Sequence, residues 1–468
     1  MASLSTGSVL KRADPSTIHG KFLVGYQGWY TCAGDAYVDS LALTHKGWLH
    51  WFNRPIPDGG HPNIDLWPDL WSSFANYTPT EMFRVPGLKR TDGVSVMLFS
   101  SRDRKTVRRH FHWMAVYGVD GAFLQRAMGE TDLELGNEAL RNLRDEVGDK
   151  VMESAEKEGR VFAIMYDVSG VAPDRLQRVL EQDWMHLIRD KAVLDSRAYL
   201  REQGRPVVAL KGFSLSDAQH SPSMVRAVAR FMRDNTPGGA YIVAGVPAHW
   251  RTSAMDVDPD PEFMRVWLGE FDAISPWTVG EYRNEGEADR FEQETIKGDL
   301  ELIKQHNELA ERIPGSMRTI DYIPVIFPGR SAHNLSEGRL GWNDCPRKGG
   351  HFMWRQLFNL RRHSVRTVFG RRYSVRTIFG AMWDGYDEGT ALMPVVSSER
   401  RLPVHEKYRF MALEEEDMDE DWYMRICGFA AEGLHGGRVI GEKFPSDELQ
   451  GYWSTGHRRL ADLNVHFD

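Results

Sequence analysis

Short apolar runs alternate with amphipathic segments along most of this chain. Each run is rich in β-branched and aromatic residues and ends in a polar or aromatic residue, which is typical of a buried parallel strand. Eight such runs occur, at residues 22–30, 121–126, 161–170, 206–214, 240–247, 271–280, 321–329 and 376–384. Helical patterns separate them, at about 104–118, 133–159, 173–193, 221–235, 260–269, 286–312 and 351–364.

Eight strands alternating with helices predict an α/β fold, a (β/α)8 TIM barrel. A ninth apolar run, at 94–101, is placed inside a long first β–α excursion over residues 31–103. A doubly wound open sheet is the rival, but no Gly-rich nucleotide fingerprint follows the first strand. The helical pattern at 422–434 is expected to close the barrel. Residues 1–20 are predicted to form a disordered N-terminal extension, and residues 21–468 a single domain.

A ten-residue unit occurs twice in tandem before the last apolar run. The first copy, RRHSVRTVFG, covers residues 361–370, and the second, RRYSVRTIFG, covers residues 371–380. Only the second copy runs directly into Asp384, so it is predicted to form the eighth strand. The first copy is expected to extend the preceding helix or to loop out on the amino-terminal face, away from the site.

Composition narrows the class of protein further. The chain has 468 residues, of which 41% are hydrophobic and 26% charged, as in a soluble globular protein. Its net charge of −8 argues against a nucleic-acid partner or an anionic membrane surface. The three cysteines have no metal-ligand spacing. Without a visible signal peptide or an apolar run of about 18 residues, a cytoplasmic location is expected; a misannotated N-terminus would change this expectation to secretion.

The chemistry of such a barrel sits at the carboxyl ends of its strands. The candidate catalytic residues at these ends are Asp167, Asp384, Asp387 and Glu388. The candidate substrate-binding residues are Tyr26, Trp29, Gln125, Arg126, Tyr166, Lys211, Trp250, Arg251, Trp277, Glu281 and His333. Aromatic rings stack on the C–H faces of sugars and paired carboxylates serve glycoside hydrolysis, so the set predicts a carbohydrate substrate and no cofactor or metal.

Other interpretations of these residues stand beside the catalytic one. The sequence DEGT is also favourable turn chemistry, and Asp167 could cap the following helix. Three acids within residues 384–388 repel one another, so at least one should have a raised pKa. His110 and His112 resemble a metal pair, but on a predicted helix two residues at i and i+2 do not share a face.

Several of these segments, in this order, resemble a known group of proteins. YQGWY, FAIMYDVSG, FDAISPWTVGEY, YIPVIFPG and MWDGYDEGTALMP are similar to fungal and bacterial proteins described as xylosidase/arabinosidase, related to glycoside hydrolase families 71 and 99. The resemblance covers about residues 20–455 and implies a TIM barrel and glycoside hydrolysis. Endo-acting α-mannosidases of family 99 carry a pattern N-E-W-H-E-G-T. The resemblance implies that Glu388, at the second glutamate of this pattern, is the general acid/base, and that Gly385 stands where the pattern has its first glutamate.

The sequence therefore predicts a glycoside hydrolase that acts on an α-mannosidic or pentosidic oligo- or polysaccharide by carboxylate acid/base catalysis. Asp384, Asp387 or Asp167 would then supply the carboxylate that is missing at Gly385. One alternative is a carbohydrate-binding barrel that has lost catalysis together with this carboxylate. A second alternative is a structural or partner-binding barrel, which a cleft without exposed aromatic rings would favour.

Overall fold

Parallel strands form the centre of the molecule in a computed structural model that describes residues 11–35, 46–72, 75–313, 315, 317–363, 375–414 and 418–451. The strands are β1 (Lys21–Tyr26), β2 (Met82–Lys89), β3 (Ser95–Phe99), β4 (Gly121–Ala127), β5 (Val161–Asp167), β6 (Arg201–Glu202), β7 (Arg205–Lys211), β8 (Tyr241–Pro247), β9 (Ala273–Trp277), β10 (Asp321–Tyr322), β11 (Val325–Ile326) and β12 (Thr377–Gly380). The helices are α1 (Arg104–Val116), α2 (Glu138–Glu158), α3 (Pro173–Arg189), α4 (Pro222–Asn235), α5 (Glu262–Glu270), α6 (Glu285–Phe291), α7 (Lys297–Arg312), α8 (His351–Arg361) and α9 (Trp422–Leu434).

The parallel strands close into a barrel. Their order is β10-β9-β8-β7-β5-β4-β1-β12-β11. The strands β10 and β11 are the two halves of one barrel strand, separated by Ile323 and Pro324. β10 pairs with β9, and β11 pairs with β12. Together β10 and β11 form the seventh strand of the barrel, which lies between β9 and β12. Proline has no N–H to donate, which accounts for the break in pairing at this point. The predicted (β/α)8 barrel is confirmed.

The helices pack around the barrel because each presents an apolar stripe to the strands. Their starts follow local sequence signals: the Asp103 carboxylate accepts a hydrogen bond from the Thr106 N–H before α1, and the Ser221 hydroxyl accepts one from the Met224 N–H before α4. The last helix, α9, occupies the position after β12, as its sequence pattern predicts. Among the described residues, none of the helices is both long and apolar enough to cross a membrane.

The first β–α excursion lies on the carboxyl-terminal face of the barrel. It contains the antiparallel hairpin β2–β3, so the ninth apolar run is outside the barrel, as predicted. Backbone hydrogen bonds join it to the chain that follows β12: the Trp67 N–H donates to the Met411 carbonyl and the Asp69 N–H to the Pro394 carbonyl. The excursion and the loop after β12 therefore build one continuous surface around the barrel mouth.

Residues before β1 cover the opposite, amino-terminal face. Ile18 is fully buried, and the Thr17 hydroxyl donates to the Glu202 carboxylate at 2.6 Å. The His19 Nε2 atom lies 2.8 Å from the Asp321 carboxylate. Within the predicted extension, the described residues from Lys11 onward thus contact the barrel; residues 1–10 lie outside the described part of the chain.

The second copy of the tandem repeat supplies the last strand of the barrel. The strand β12 belongs to that copy and pairs with β1 and β11, so this prediction is confirmed. Arg361, the first residue of the first copy, ends α8, and residues 364–374 lie outside the described residues. Because β12 ends at Gly380, the acidic segment after it begins at the barrel mouth.

Candidate functional site

Alternate residues of the strands face the barrel interior, and their register shows which ones. Asp167 lies opposite Lys211, and Lys211 opposite Gly245, so these residues form one row near the carboxyl ends of β5, β7 and β8. A cavity below the mouth is lined by Phe123, Met165, Ala209, Lys211, Val243, Gly245, Ser275, Trp277 and Phe379. The interior is therefore apolar, and its polar groups lie at the upper rim.

A compact polar group occupies this rim. The Lys211 Nζ atom lies 3.6 Å from the Asp167 Oδ2 atom and 3.5 Å from the centre of the Trp277 ring. The Gln125 Nε2 atom donates to Asp167 Oδ2 at 3.2 Å. Gly245 makes room for the lysine, since a Cβ atom there would lie 2.9 Å from the Lys211 Cβ. One face of Trp277 is thus covered by a cation, and Asp167 is held between an amide and an ammonium group.

Asp384 fixes the start of the acidic segment after β12. Its Oδ1 atom accepts the Gln27 N–H at 2.7 Å and its Oδ2 atom accepts the Gly28 N–H at 2.8 Å. The side chain is fully buried, and burial raises its pKa to about 6 although both hydrogen bonds act to lower it. Both oxygens bind backbone donors out of solvent, which is a structural role, and the catalytic role of Asp384 stays a prediction. This residue ties the end of β12 to the end of β1.

Asp387 lies beneath the surface of the same segment. The Tyr30 hydroxyl donates to its Oδ1 atom at 3.0 Å, and the Asp387 N–H donates back to the Tyr30 oxygen at 3.1 Å. The Glu388 N–H also donates to Oδ1, at 3.1 Å. Burial, followed by repulsion from Glu388, raises the pKa of Asp387 to about 8. At neutral pH this side chain is therefore mostly a neutral acid.

Glu388 is the one acid of the segment that reaches solvent. Its side chain is half-buried, while Asp384 and Asp387 are buried. Among the described residues, its carboxylate makes no hydrogen bond or ion pair, whereas its carbonyl accepts the Ser331 N–H at 2.9 Å. Gly389 follows with a φ of +66°, and a Cβ there would meet the Ser331 backbone nitrogen at 2.7 Å. The close approach of the two loops thus requires glycine after Glu388.

Gly385, where the resemblance implies a glutamate, has no free space for one. A Cβ at this position would lie 2.2 Å from the Thr390 Oγ1 atom and 2.9 Å from the Met382 Cβ. The Thr390 hydroxyl and N–H both donate to the Gly385 carbonyl, at 3.3 Å and 2.8 Å. A second carboxylate of the site must therefore come from another position.

Trp29 lies at the mouth, close to Tyr30. Its half-buried ring stacks on His50 with centres 3.9 Å apart and planes 2° from parallel. The His50 Nε2 atom lies 3.7 Å from the Glu130 carboxylate, whose pKa is lowered because Arg144 and His50 outweigh the opposing effect of burial. Trp29 thus remains a candidate contact for a sugar, with one of its faces already covered.

Two predicted binding residues point away from the barrel interior. The Arg126 guanidinium binds Asp183 of α3 at 2.6 Å and Asp145 of α2 at 2.8 Å. The Tyr166 hydroxyl donates to Asp183 at 2.7 Å. Since Arg126 and Tyr166 are paired in register, both face the helix layer, where they join strands to helices. The prediction that Arg126 and Tyr166 bind substrate is corrected accordingly.

Tyr26 likewise belongs to the layer between strands and helices. Its hydroxyl oxygen lies 2.9 Å from the Nδ1 atom of His110, whose Nε2 atom lies 2.8 Å from the Tyr77 hydroxyl. Tyr26 is fully buried, so it cannot stack against a sugar. His112, on another face of α1, binds Glu158 at 2.9 Å.

The prediction that Trp250 and Arg251 bind substrate is also corrected, because both side chains bind a carboxylate of the helix layer. The Trp250 Nε1 atom donates to Asp299 at 2.9 Å, and the Arg251 Nε atom donates to the same carboxylate at 2.8 Å. Tyr322 is a third donor to it, at 3.2 Å. Trp250 is buried, and both side chains are used to hold α7 against the barrel rather than to line its mouth.

The last two predicted residues lie on loops around the mouth. A Glu281 oxygen is 3.8 Å from the His249 Nδ1 atom, and burial, followed by repulsion from Asp256, raises the pKa of Glu281. The His333 Nδ1 atom is 3.1 Å from the Leu340 carbonyl within its own loop. Their roles in binding stay predictions.

Three residues of the site are not among the candidate catalytic and substrate-binding residues. Tyr30 binds Asp387, His50 stacks on Trp29, and Ser331 contacts the backbone at Glu388. Tyr30 carried a signal, since it follows Trp29 at the end of the first apolar run. His50 and Ser331 lie in irregular loops, where neither spacing nor periodicity indicates a partner.

The fold and these contacts define an α/β barrel with an acidic, aromatic mouth at the carboxyl ends of its strands. Among the described residues, no group of three or more His, Cys, Asp or Glu could hold a metal ion. No family matches the sequence, and no curated protein matches it. The structure is similar to that of the family 99 endo-α-mannosidase from Bacteroides thetaiotaomicron in complex with bis-tris-propane, with a TM-score of 0.56 and 13% identity over 91% of this chain and 100% of that one.

A second structure of the family 99 endo-α-mannosidase from Bacteroides thetaiotaomicron gives the same TM-score of 0.56 and 13% identity, over 90% of this chain and 99% of that one. At this identity the likeness shows the shared barrel fold. The fold of this chain is therefore one that glycoside hydrolases use.

Proposed function

We propose that the protein hydrolyses O-glycosidic bonds in an oligo- or polysaccharide, with Glu388 as the general acid/base. The observation that carries this proposal is the state of the three acids after β12. Asp384 and Asp387 are buried and hydrogen-bonded, while Glu388 reaches solvent with its carboxylate unpaired among the described residues. A positioned carboxyl group that is free to exchange a proton with a bound sugar is what glycosidic bond cleavage needs.

The surroundings of Glu388 support this role. Its backbone is fixed on both sides, through the Ser331 N–H on its carbonyl and the Asp387 carboxyl on its N–H. Asp387, mostly neutral at pH 7, adds a dipole but little charge beneath Glu388. A rigid support of this kind lowers the cost of placing an acid against a glycosidic oxygen.

Asp167 is the proposed second carboxylate. Gly385 cannot supply it, and the Asp384 oxygens are both occupied. Asp167 is near the rim, where the Lys211 Nζ atom lies 3.6 Å from its Oδ2 atom and the Gln125 amide donates to the same atom at 3.2 Å. In this scheme Glu388 protonates the leaving oxygen as the glycosidic bond breaks, while Asp167 either stabilises the positive charge that develops on the sugar or deprotonates a neighbouring hydroxyl, which displaces the leaving group. Water then adds at the anomeric carbon and gives a proton to Glu388, which completes the hydrolysis.

The finer substrate assignment rests on likeness alone. The two solved structures described above are endo-α-mannosidases, and the segments quoted from the sequence resemble proteins described as xylosidase/arabinosidase. We therefore propose α-mannosides first and pentosides second. Trp29 and Trp277 each have one ring face covered, by His50 and by Lys211, and we propose the opposite faces as the contacts for a sugar.

The direct test replaces Glu388 by glutamine, which keeps the size of the side chain and removes the transferable proton. We expect wild-type protein to cleave at least one of 4-nitrophenyl α-mannoside, β-xyloside and α-arabinofuranoside, or soluble α-mannan. Glu388→Gln should lower kcat/KM by about 10²- to 10⁴-fold. Glu399→Gln, at an exposed position on a neighbouring loop, is the matched control and should leave turnover unchanged.

Equal turnover by wild-type protein and Glu388→Gln would refute the role of Glu388. A further variant, Asp167→Asn, separates the two carboxylates. If Glu388 acts with Asp167, each single variant should lose most of the activity, and the double variant should lose little more.

A second function is favoured by Gly385. Since that position holds no carboxylate and its space is filled by Thr390, the barrel could bind a sugar without cleaving it. Saturable binding of α-mannan or arabinoxylan to wild-type protein, with no release of reducing ends over a day, would favour this function over hydrolysis.

A further inference from the structure

One aromatic side chain lies outside the mouth and in solvent. Trp71, in the first β–α excursion, is 58% exposed. Among the described residues it is the only Phe, Tyr or Trp that is largely exposed; the other exposed large hydrophobic residues are Val, Leu, Ile and Met. A single exposed apolar residue is ordinary by itself, so what matters here is that this ring borders a cleft with hydrogen-bond donors.

The ring borders a cleft between the excursion and the loop after β12. The cleft is lined by Trp67, Pro68, Trp71, Arg90, Val94, Ser95, Val96, Met97, Val396 and Arg401. One wall is the strand β3 with the residue before it, and the opposite wall is the loop after β12. The cleft therefore presents a flat ring, apolar side chains and two guanidinium groups, of which that of Arg90 is bound by the Asp92 carboxylate.

Buried Asp69 holds the ring and one guanidinium together. Its Oδ1 atom accepts the Trp71 N–H at 3.3 Å, and its Oδ2 atom accepts the Ser72 N–H at 3.2 Å. The Arg401 Nη1 atom binds Asp69 Oδ1 at 3.4 Å and the Glu420 carboxylate at 3.1 Å. Among the described residues, the Nε and Nη2 atoms of Arg401 make no hydrogen bond, so their donors are available to a ligand.

We infer that Trp71 and Arg401, at the edge of this cleft, form a second carbohydrate-binding site, in which a sugar ring of a polysaccharide stacks on the exposed ring of Trp71 and a hydroxyl accepts a hydrogen bond from Arg401. An apolar ring beside oriented donors matches the two sides of a sugar, which has C–H faces and hydroxyl edges. Aliphatic residues would bind a protein partner equally well, and such a partner would not require guanidinium donors in fixed positions.

The cleft lies on the same face of the barrel as the mouth. The Asp69 N–H donates to the Pro394 carbonyl, so the segment carrying Trp71 is bonded to the chain that leaves the acidic segment at the mouth. Both sites thus lie on the carboxyl-terminal face. The inference rests on the proposed function only in taking carbohydrate as the ligand; the cleft would hold a long chain while the mouth acts on another part of it.

The test measures binding of soluble α-mannan and arabinoxylan by affinity electrophoresis, in the Glu388→Gln background so that no polymer is consumed. Trp71→Ala should weaken binding to the polymer that is retained by about tenfold, and Trp71→Phe should keep most of it because the ring is kept. Arg401→Met should weaken binding as well. The matched control is Leu135→Ala, at a residue of similar exposure, 62%, that does not line the cleft.

Unchanged binding by Trp71→Ala, or no retention of either polymer by the parent protein, would overturn the inference. A change in molar mass by light scattering on replacing Trp71, without a change in polymer binding, would mark the cleft as a protein interface and would also overturn it. Cleavage of small aryl glycosides is measured in a separate assay, on protein that carries Glu388. Loss of polymer binding and loss of hydrolysis can therefore be distinguished.

Discussion

Asp387 offers a direct test of the electrostatics of the site, because its pKa is raised from 3.8 to about 8. Between these values the folded chain keeps a proton that the unfolded chain has released. The variant Asp387→Asn replaces the neutral acid by a neutral amide of the same shape. Its Oδ1 atom would still accept from the Tyr30 hydroxyl and the Glu388 N–H, so the packing should persist.

The sign and size of the effect follow from proton linkage. The folded state binds more protons than the unfolded state in this window, so the free energy of unfolding must fall as pH rises. One retained proton gives a slope of about 1.4 kcal/mol per pH unit. From pH 5 to pH 7 the wild-type protein should therefore lose about 2–3 kcal/mol more stability than Asp387→Asn.

The assay is urea unfolding followed by tryptophan fluorescence at pH 5, 6 and 7 and constant ionic strength. Asp384 also titrates in part of this range. Because it does so in both proteins, its contribution to the change in the free energy of unfolding cancels in the comparison. The control Asp58→Asn, at an exposed carboxylate, should leave the pH slope of wild-type protein unchanged. If wild-type protein and Asp387→Asn lose stability in parallel from pH 5 to pH 7, Asp387 is not protonated at neutral pH and the reasoning fails.

Two further variants probe the frame of the site. Asp384→Asn should lower the free energy of unfolding by about 1–3 kcal/mol, because its NH₂ group would face the N–H of either Gln27 or Gly28 and leave a buried donor unpaired. An unaltered urea midpoint would contradict this. Gly148→Ala, in the interior of α2, should raise the free energy of unfolding by about 0.5–1 kcal/mol, since the nearest atom to an added Cβ, Leu124 Cδ2, is 4.0 Å away. A lower thermal midpoint would show that this space is not free.

The barrel was predictable from the sequence because its strands are strong signals. Strands buried on both faces read as continuous apolar runs, and eight of them stood out between helical patterns. The same property hides which residues face the interior. Gln125 and Arg126 are adjacent and polar, yet Gln125 contacts Asp167 in the interior while Arg126 binds acids of the helix layer. No pattern in a doubly buried strand distinguishes these two directions.

Long-range contacts account for the rest of what the sequence could not predict. The acids Asp384, Asp387 and Glu388 look equivalent along the chain, and only their partners from β1 and its loop separate them. Position at a strand end identified the segment, whereas the distinct state of each acid required the fold. The stacking of Trp29 on His50 depends in the same way on an irregular excursion whose path no periodicity encodes.

The tandem repeat carries an evolutionary consequence. The additional copy lengthens only the connection between Arg361, at the end of α8, and Thr377, at the start of β12. Ten added residues triple the length of this connection, from five to fifteen residues, which costs about 1 kcal/mol in loop-closure entropy, and whichever copy meets β1 carries the same residue types into the sheet. A duplication at this point is therefore close to neutral for selection, whereas an equal insertion after Gly380 would separate Asp384 from its donors. The barrel can accumulate length on one face while its chemistry on the other remains fixed.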